Sequence, residues 1–96
     1  MSLADLERLA IASDKLEGFL LDMIPEWLTL DSCEIEQNAK DKELVATVYL
    51  RSNSGIRCSL SMDVYGLKRS ELRHLSDSIK KRVIKWYEAK GVYDVT

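Results

Sequence analysis

The chain opens with apolar residues recurring every three or four positions. Leu6, Leu9, Ala12, Leu16, Phe19, Leu20, Met23 and Ile24 trace one wide apolar face of a helix. Asp5, Arg8, Asp14, Lys15 and Asp22 take the other side. Ser2 followed by Asp5 suits the start, a hydroxyl for an orphan amide and an acid in the first turn. Gly18 lies inside this pattern at a cost of about 1 kcal/mol relative to Ala. Pro25 disfavours a helical Ile24 and removes one hydrogen bond, so the helix is predicted to stop there, with Glu26-Trp27-Leu28 as a further turn.

The period then drops to two. Cys33 and Ile35 alternate with Glu34 and Glu36; Leu44, Ala46, Val48 and Leu50 alternate with Val45, Thr47, Tyr49 and Arg51. Ile56, Cys58, Leu60, Met62 and Val64 alternate with Arg57, Ser59, Ser61, Asp63 and Tyr65, the clearest strand signal in the chain. Asn38 to Asp41 and Ser52 to Gly55 are turn material. Residues opposite each other across a hairpin point to the same face. The second and third strands both place even-numbered residues inward, which requires an odd loop. Asn53-Ser54-Gly55 supplies it, with Gly55 in the left-handed position. The first strand faces its odd residues inward, so the first hairpin needs an even loop, for which Asn38 to Asp41 fits.

A second helical period follows. Gly66 ends the strand and Ser70 is the expected N-cap. Leu72, Leu75, Ile79, Val83 and Trp86 form the apolar face, with Trp86 as a core residue. Gly91 reads as the left-handed residue just past the end, with Val92 placed for the accompanying hydrophobic contact and a short tail beyond. The expected fold is α+β, in the order αβββα. A three-stranded antiparallel meander has one face covered by two helices, and residues 1–96 form a single domain.

Length and composition agree with this. Ninety-six residues carrying 46% hydrophobic and 31% charged residues suit one soluble domain. No apolar run is long enough to span a membrane, and the acidic start lacks the basic region of a signal peptide. Two cysteines are too few for a disulfide framework or a zinc site, so Cys33 and Cys58 are expected to be buried free thiols in a reducing, cytoplasmic setting.

Charge is segregated along the chain. Met1 to Thr47 holds eleven acids and four bases, a balance of −7; Val48 to Thr96 holds ten bases and five acids, a balance of +5. Such blocks can guide association, and equally can draw the two halves together. The basic residues concentrate on the second helix, making Arg69, Arg73, Lys80, Lys81 and Lys85 candidates for holding phosphates. In that reading Arg69, Arg73, Ser76 and Lys80 share a stripe. The order αβββα is similar to that of the double-stranded RNA binding domain. The lysine cluster that opens that family's last helix and the glycine-rich signal before it are not reproduced here. The sequence pI of about 5.4 also opposes a strong phosphate-binding surface, and a solvated face, with Asp77 offsetting Lys81, is the simpler account.

Catalytic chemistry finds no support in the pattern. His74, the one histidine, falls on the polar side of the second helix with no metal-ligand spacing around it. No nucleophile elbow, phosphate loop or dinucleotide fingerprint occurs. The expectation is a non-enzymatic protein-binding module with no cofactor and no metal. Its candidate contacts lie on the outer sheet face: Tyr49, Arg57, Tyr65, Glu34 and Glu36. A phage or bacterial inhibitor or adaptor acting on a host defence complex, of the anti-CRISPR kind, is the narrowest form of that expectation. Nucleic-acid binding through the basic helix is the first alternative. A homodimer or chaperone-like protein joined through leftover helix residues Ile11, Leu21, Ile84 and Tyr87 is the second.

Overall fold

The structure is a computed structural model and describes residues 3–92. Helix α1 (Leu3–Met23) leads into strands β1 (Leu28–Gln37), β2 (Leu44–Ser52) and β3 (Arg57–Val64), followed by helix α2 (Arg69–Ala89). The strands form one antiparallel sheet in the order β1-β2-β3. The helices pack against each other and over one face, α1 along β1 and α2 along β3. This is the expected α+β arrangement. The Ser2 cap and the tail after Val92 fall outside the described residues.

Local chemistry accounts for most boundaries. The Leu28 amide bonds the Pro25 carbonyl at 3.0 Å, so a tight turn follows the proline as expected, but Leu28 already belongs to β1. In the second hairpin the Ser52 amide bonds the Ile56 carbonyl at 2.9 Å and Gly55 sits at φ +87°. That is the odd loop required by pleat parity. The first hairpin turns through residues 38–43, an even loop but longer than Asn38 to Asp41 alone. Asn38 and Asp41 side chains accept from the Lys40 and Glu43 amides within it.

Helix α2 ends as the sequence implies. The Gly91 amide bonds the Glu88 carbonyl, the Val92 amide bonds the Tyr87 carbonyl, and Gly91 adopts φ +74°. These are the two bonds of a Schellman end, and Val92 packs on the core. Its start differs. The helix begins at Arg69, after Lys68 rather than Ser70, because the Glu71 carboxylate accepts from the Lys68 amide at 3.2 Å.

β1 departs furthest from its pattern. Its pairing with β2 shifts between Leu30 and Ser32, leaving Asp31 as an extra residue. Before this bulge the even residues Leu28 and Leu30 face the helices; after it the odd residues Cys33 and Ile35 do. One inserted residue therefore keeps both halves of a ten-residue strand apolar toward the core.

The core joins Leu16 and Leu20 of α1 with Val48, Leu50 and Cys58 of the sheet. Leu72, Ile79, Val83 and Tyr87 of α2 complete it. Tyr87, expected as a leftover surface residue, is wholly buried, and Trp86, expected in the core, is half-buried beside it. The two differ by about 100° around the helix. The Tyr87 hydroxyl has an acceptor below, donating to the Ile56 carbonyl at 2.7 Å. Trp86 stacks edge-on against Tyr87 and lies under the Lys90 ammonium. Ser76, expected on a solvent stripe, is fully buried too. Its hydroxyl donates to the Arg73 carbonyl at 2.6 Å and lies 3.4 Å from the Met23 sulfur.

Candidate functional site: the uncovered sheet face and its edges

The helices occupy one face of the sheet, and among the described residues no element covers the other. Register sets its side chains in rows. Glu36, Val45 and Asp63 form one, and Glu34, Thr47 and Ser61 the next. Ser32, Tyr49 and Ser59 follow, and Arg51 beside Arg57 closes the far end. The face is acidic at one end and basic at the other, with Tyr49 between them, 49% exposed. Thr47 and Ser61 hydroxyls meet at 3.2 Å. The Arg51 guanidinium bonds the Asp31 carboxylate at 3.1 Å, which raises the arginine further above its ordinary value. The bulge thus delivers a partner for Arg51. Arg57, opposite Arg51 in the ladder, makes no ion pair among the described residues, and neither does Asp63.

Of the expected contact residues, Glu34, Glu36, Tyr49 and Arg57 share this face. Tyr65 does not join them. It lies past the end of β3, 92% exposed. Six residues separate it from Ser59, the strand neighbour of Tyr49, roughly 20 Å of extended chain. Tyr65 borders a groove that runs from Asp63 of the outer face to Gly66, Ser70 and His74. A contact using both tyrosines would have to span about 20 Å, within the width of a standard protein interface.

The basic residues of α2 are divided as well. The Arg69 guanidinium sits over the Phe19 ring of α1 at 5.6 Å, and Lys80 lines a groove with Met23 and Pro25. Arg73 falls on that same flank by helical spacing, whereas Lys81 and Lys85 lie on the solvent side. Lys81 is held by Asp77 at 3.0 Å. With Ser76 buried, the stripe is not a continuous basic track. His74 is exposed near Ser70 and Ser78, but no hydrogen bond links them among the described residues. Among those residues no group of His, Cys, Asp and Glu is placed to hold a metal.

The two edges of the sheet differ. Within the hairpins, hydrogen-bonded and non-bonded pairs alternate. The Ser52–Ile56 bond makes the even residues of β3 the ones that bond β2, which leaves the amides and carbonyls of Arg57, Ser59, Ser61 and Asp63 pointing outward. By the same alternation Cys33, Ile35 and Gln37 point outward from β1. There α1 closes in. The Ser13 hydroxyl donates to the Leu9 carbonyl at 2.7 Å and accepts from the Ile35 amide at 2.9 Å. Cys33 lies just inside this edge, free and buried, its thiol pushed up to about 12 by burial and by Glu17 and Glu34. Cys58, also free, is raised by burial. β2 separates the two cysteines, so they cannot bond without breaking the sheet.

The bulge, the Ser13 bond and the burial of Tyr87 are not among the features the sequence pattern predicts. A break of parity between Leu30 and Cys33 was the available signal for the first. Comparison with protein families, with characterised proteins and with solved structures finds no match.

Proposed function

We propose that the protein is a non-catalytic binding module that engages a protein partner through the uncovered sheet face. The observation that supports this most is a three-stranded sheet with no layer on one side and an exposed Tyr49 at its centre. An aromatic anchor set among short polar side chains, with opposite charges at either end, suits a protein surface better than a nucleic-acid backbone. The division of the α2 cations argues in the same direction. A reducing, cytoplasmic setting suits two buried, unpaired thiols, and no helix among the described residues is long and apolar enough to cross a membrane. The narrower expectation of an inhibitor of a host defence complex rests on chain size alone.

Two measurements separate the readings. Generic DNA and RNA should give no salt-sensitive gel shift at micromolar protein; a tight shift lost on replacing Arg69, Arg73 and Lys80 by Glu reverses the proposal. With a captured partner, Tyr49→Ala should weaken binding by about 1–2 kcal/mol or more, and those α2 replacements should have little effect. Equal affinity for Tyr49→Ala would remove the sheet face from the contact.

A further inference from the structure

We propose that two copies of this chain join β3 to β3 in antiparallel fashion, making one continuous six-stranded sheet about a two-fold axis at Leu60.

The argument begins with what the edge lacks. Natural sheets guard free edges with bulges, prolines, inward charges or a covering element. β1 has a bulge at Asp31, and the Ser13 hydroxyl of α1 takes the Ile35 amide. β3 pairs with β2 without a register shift. Its sequence, Arg57–Val64, contains no proline and no lysine, and its two charged residues, Arg57 and Asp63, are of opposite sign and so can pair across a two-fold axis. Among the described residues no side chain bonds the outward amides of Arg57, Ser59, Ser61 or Asp63.

The second step is register. An isologous strand pair places residue i opposite j and j opposite i. With Leu60 on the axis, Arg57 faces Asp63 of the other copy, and Ser59 faces Ser61. These are the residues whose backbone groups point outward, so each pair can exchange two hydrogen bonds. On the helix-covered side Leu60 meets Leu60, Cys58 meets Met62 and Ile56 meets Val64. Every inward pair is apolar and every outward pair is matched in charge or in size. Moving the axis to Ser59 or Ser61 loses the Arg57–Asp63 match.

Exposure and charge point the same way. On the inner face Val48 and Ala46 of the central strand are buried, whereas Leu60 and Met62 beside them on β3 are only half-covered, and Ile56 is 38% exposed. Arg57 stands opposite the like charge of Arg51, whose own acid is Asp31. In the pair, Asp63 of the second copy supplies the opposite charge that Arg57 lacks. The part of α2 beside this edge carries Ser70, His74 and Ser78, leaving an open groove rather than a lid. The uncovered outer face continues across the junction, doubling the surface proposed for a partner.

Charge exchange tests the register. Sedimentation of the full chain should show a dimer that dissociates on dilution. Arg57→Asp alone and Asp63→Arg alone each set two like-charge pairs across the axis and should weaken the dimer about ten-fold or more. The double variant R57D/D63R restores both pairs and should return to within about three-fold of the parent. Ser61→Pro removes an outward amide that β2 does not use, and should also yield monomer. Circular dichroism of each variant confirms that the monomer is folded. A monomer at all accessible concentrations would overturn the proposal. So would a dimer indifferent to both single reversals, or single losses that the double variant fails to repair.

Discussion

The two edge strands of this sheet are treated in opposite ways. β1 is kinked by Asp31, carries Glu34 and Glu36 outward, and has α1 lying along it with Ser13 bonded to its free backbone. β3 is regular and held from beneath, by α2 packing on its inner side and by Tyr87 under Ile56. A hydroxyl placed at the edge takes one of its outward amides, that of Ile35; a tyrosine placed below positions a strand and leaves its outward amides free. The difference shows how a domain of this size can protect one edge while keeping the other available.

The largest effect should come from the support beneath β3. Tyr87→Ala is expected to lower stability by about 3–5 kcal/mol, the range for deleting a buried ring. Tyr87→Phe should cost about 1 kcal/mol, by loss of the Ile56 bond. Trp86→Ala, removing a half-buried ring, should cost clearly less than Tyr87→Ala. Urea midpoints for the three variants check the order, and a larger loss for Trp86 would reverse the assignment of the helix face.

The lock on β1 should be smaller and local. Ser13→Ala leaves the Ile35 amide without its acceptor and is expected to cost about 1–3 kcal/mol. Exchange of that amide should rise while amides bonded between β1 and β2 stay protected. Unchanged exchange at Ile35 would show that the edge is closed by something other than the hydroxyl.

The smallest effect is alkaline. The Cys33 thiol ionises near 9.0 when unfolded but is pushed up to about 12 in the fold, by burial and by Glu17 and Glu34. Its contribution is complete below pH 9.0 and is lost progressively above it. Cys58 and Tyr87, also raised, act in the same direction. Cys33→Ala should flatten the decline in urea midpoint between neutral and alkaline pH; an equal slope in that variant would remove Cys33 as a cause.

Much of this architecture was readable because it depends on local rules. Gly55 and Gly91 are placed where positive φ is needed, and pleat parity alone requires one odd and one even loop. What escaped depends on long-range contacts. Trp86 and Tyr87 fit the helical period equally, at seven and eight residues from Ile79, and only the distant Ile56 carbonyl selects Tyr87. The bulge at Asp31 breaks the period of two, so Leu28 and Leu30 fall outside the alternation that marks Cys33 and Ile35 as a strand. Ser76 resembles any polar helix residue until Met23 and the Arg73 carbonyl surround it. For the candidate surface, alternation alone placed Glu34, Glu36, Tyr49 and Arg57 on one face. The separation of Tyr65 follows from where β3 ends.

Residue-resolved amide exchange by NMR at two protein concentrations compares the edges most directly. Ile35, bonded to Ser13, should exchange slowly and equally at both. Ser59 and Ser61, free in the monomer, should exchange fast in dilute solution and become protected as concentration rises. Protection of Ser59 and Ser61 that does not change with concentration, or a concentration effect appearing at β1 instead, would contradict the account of one guarded and one unguarded edge.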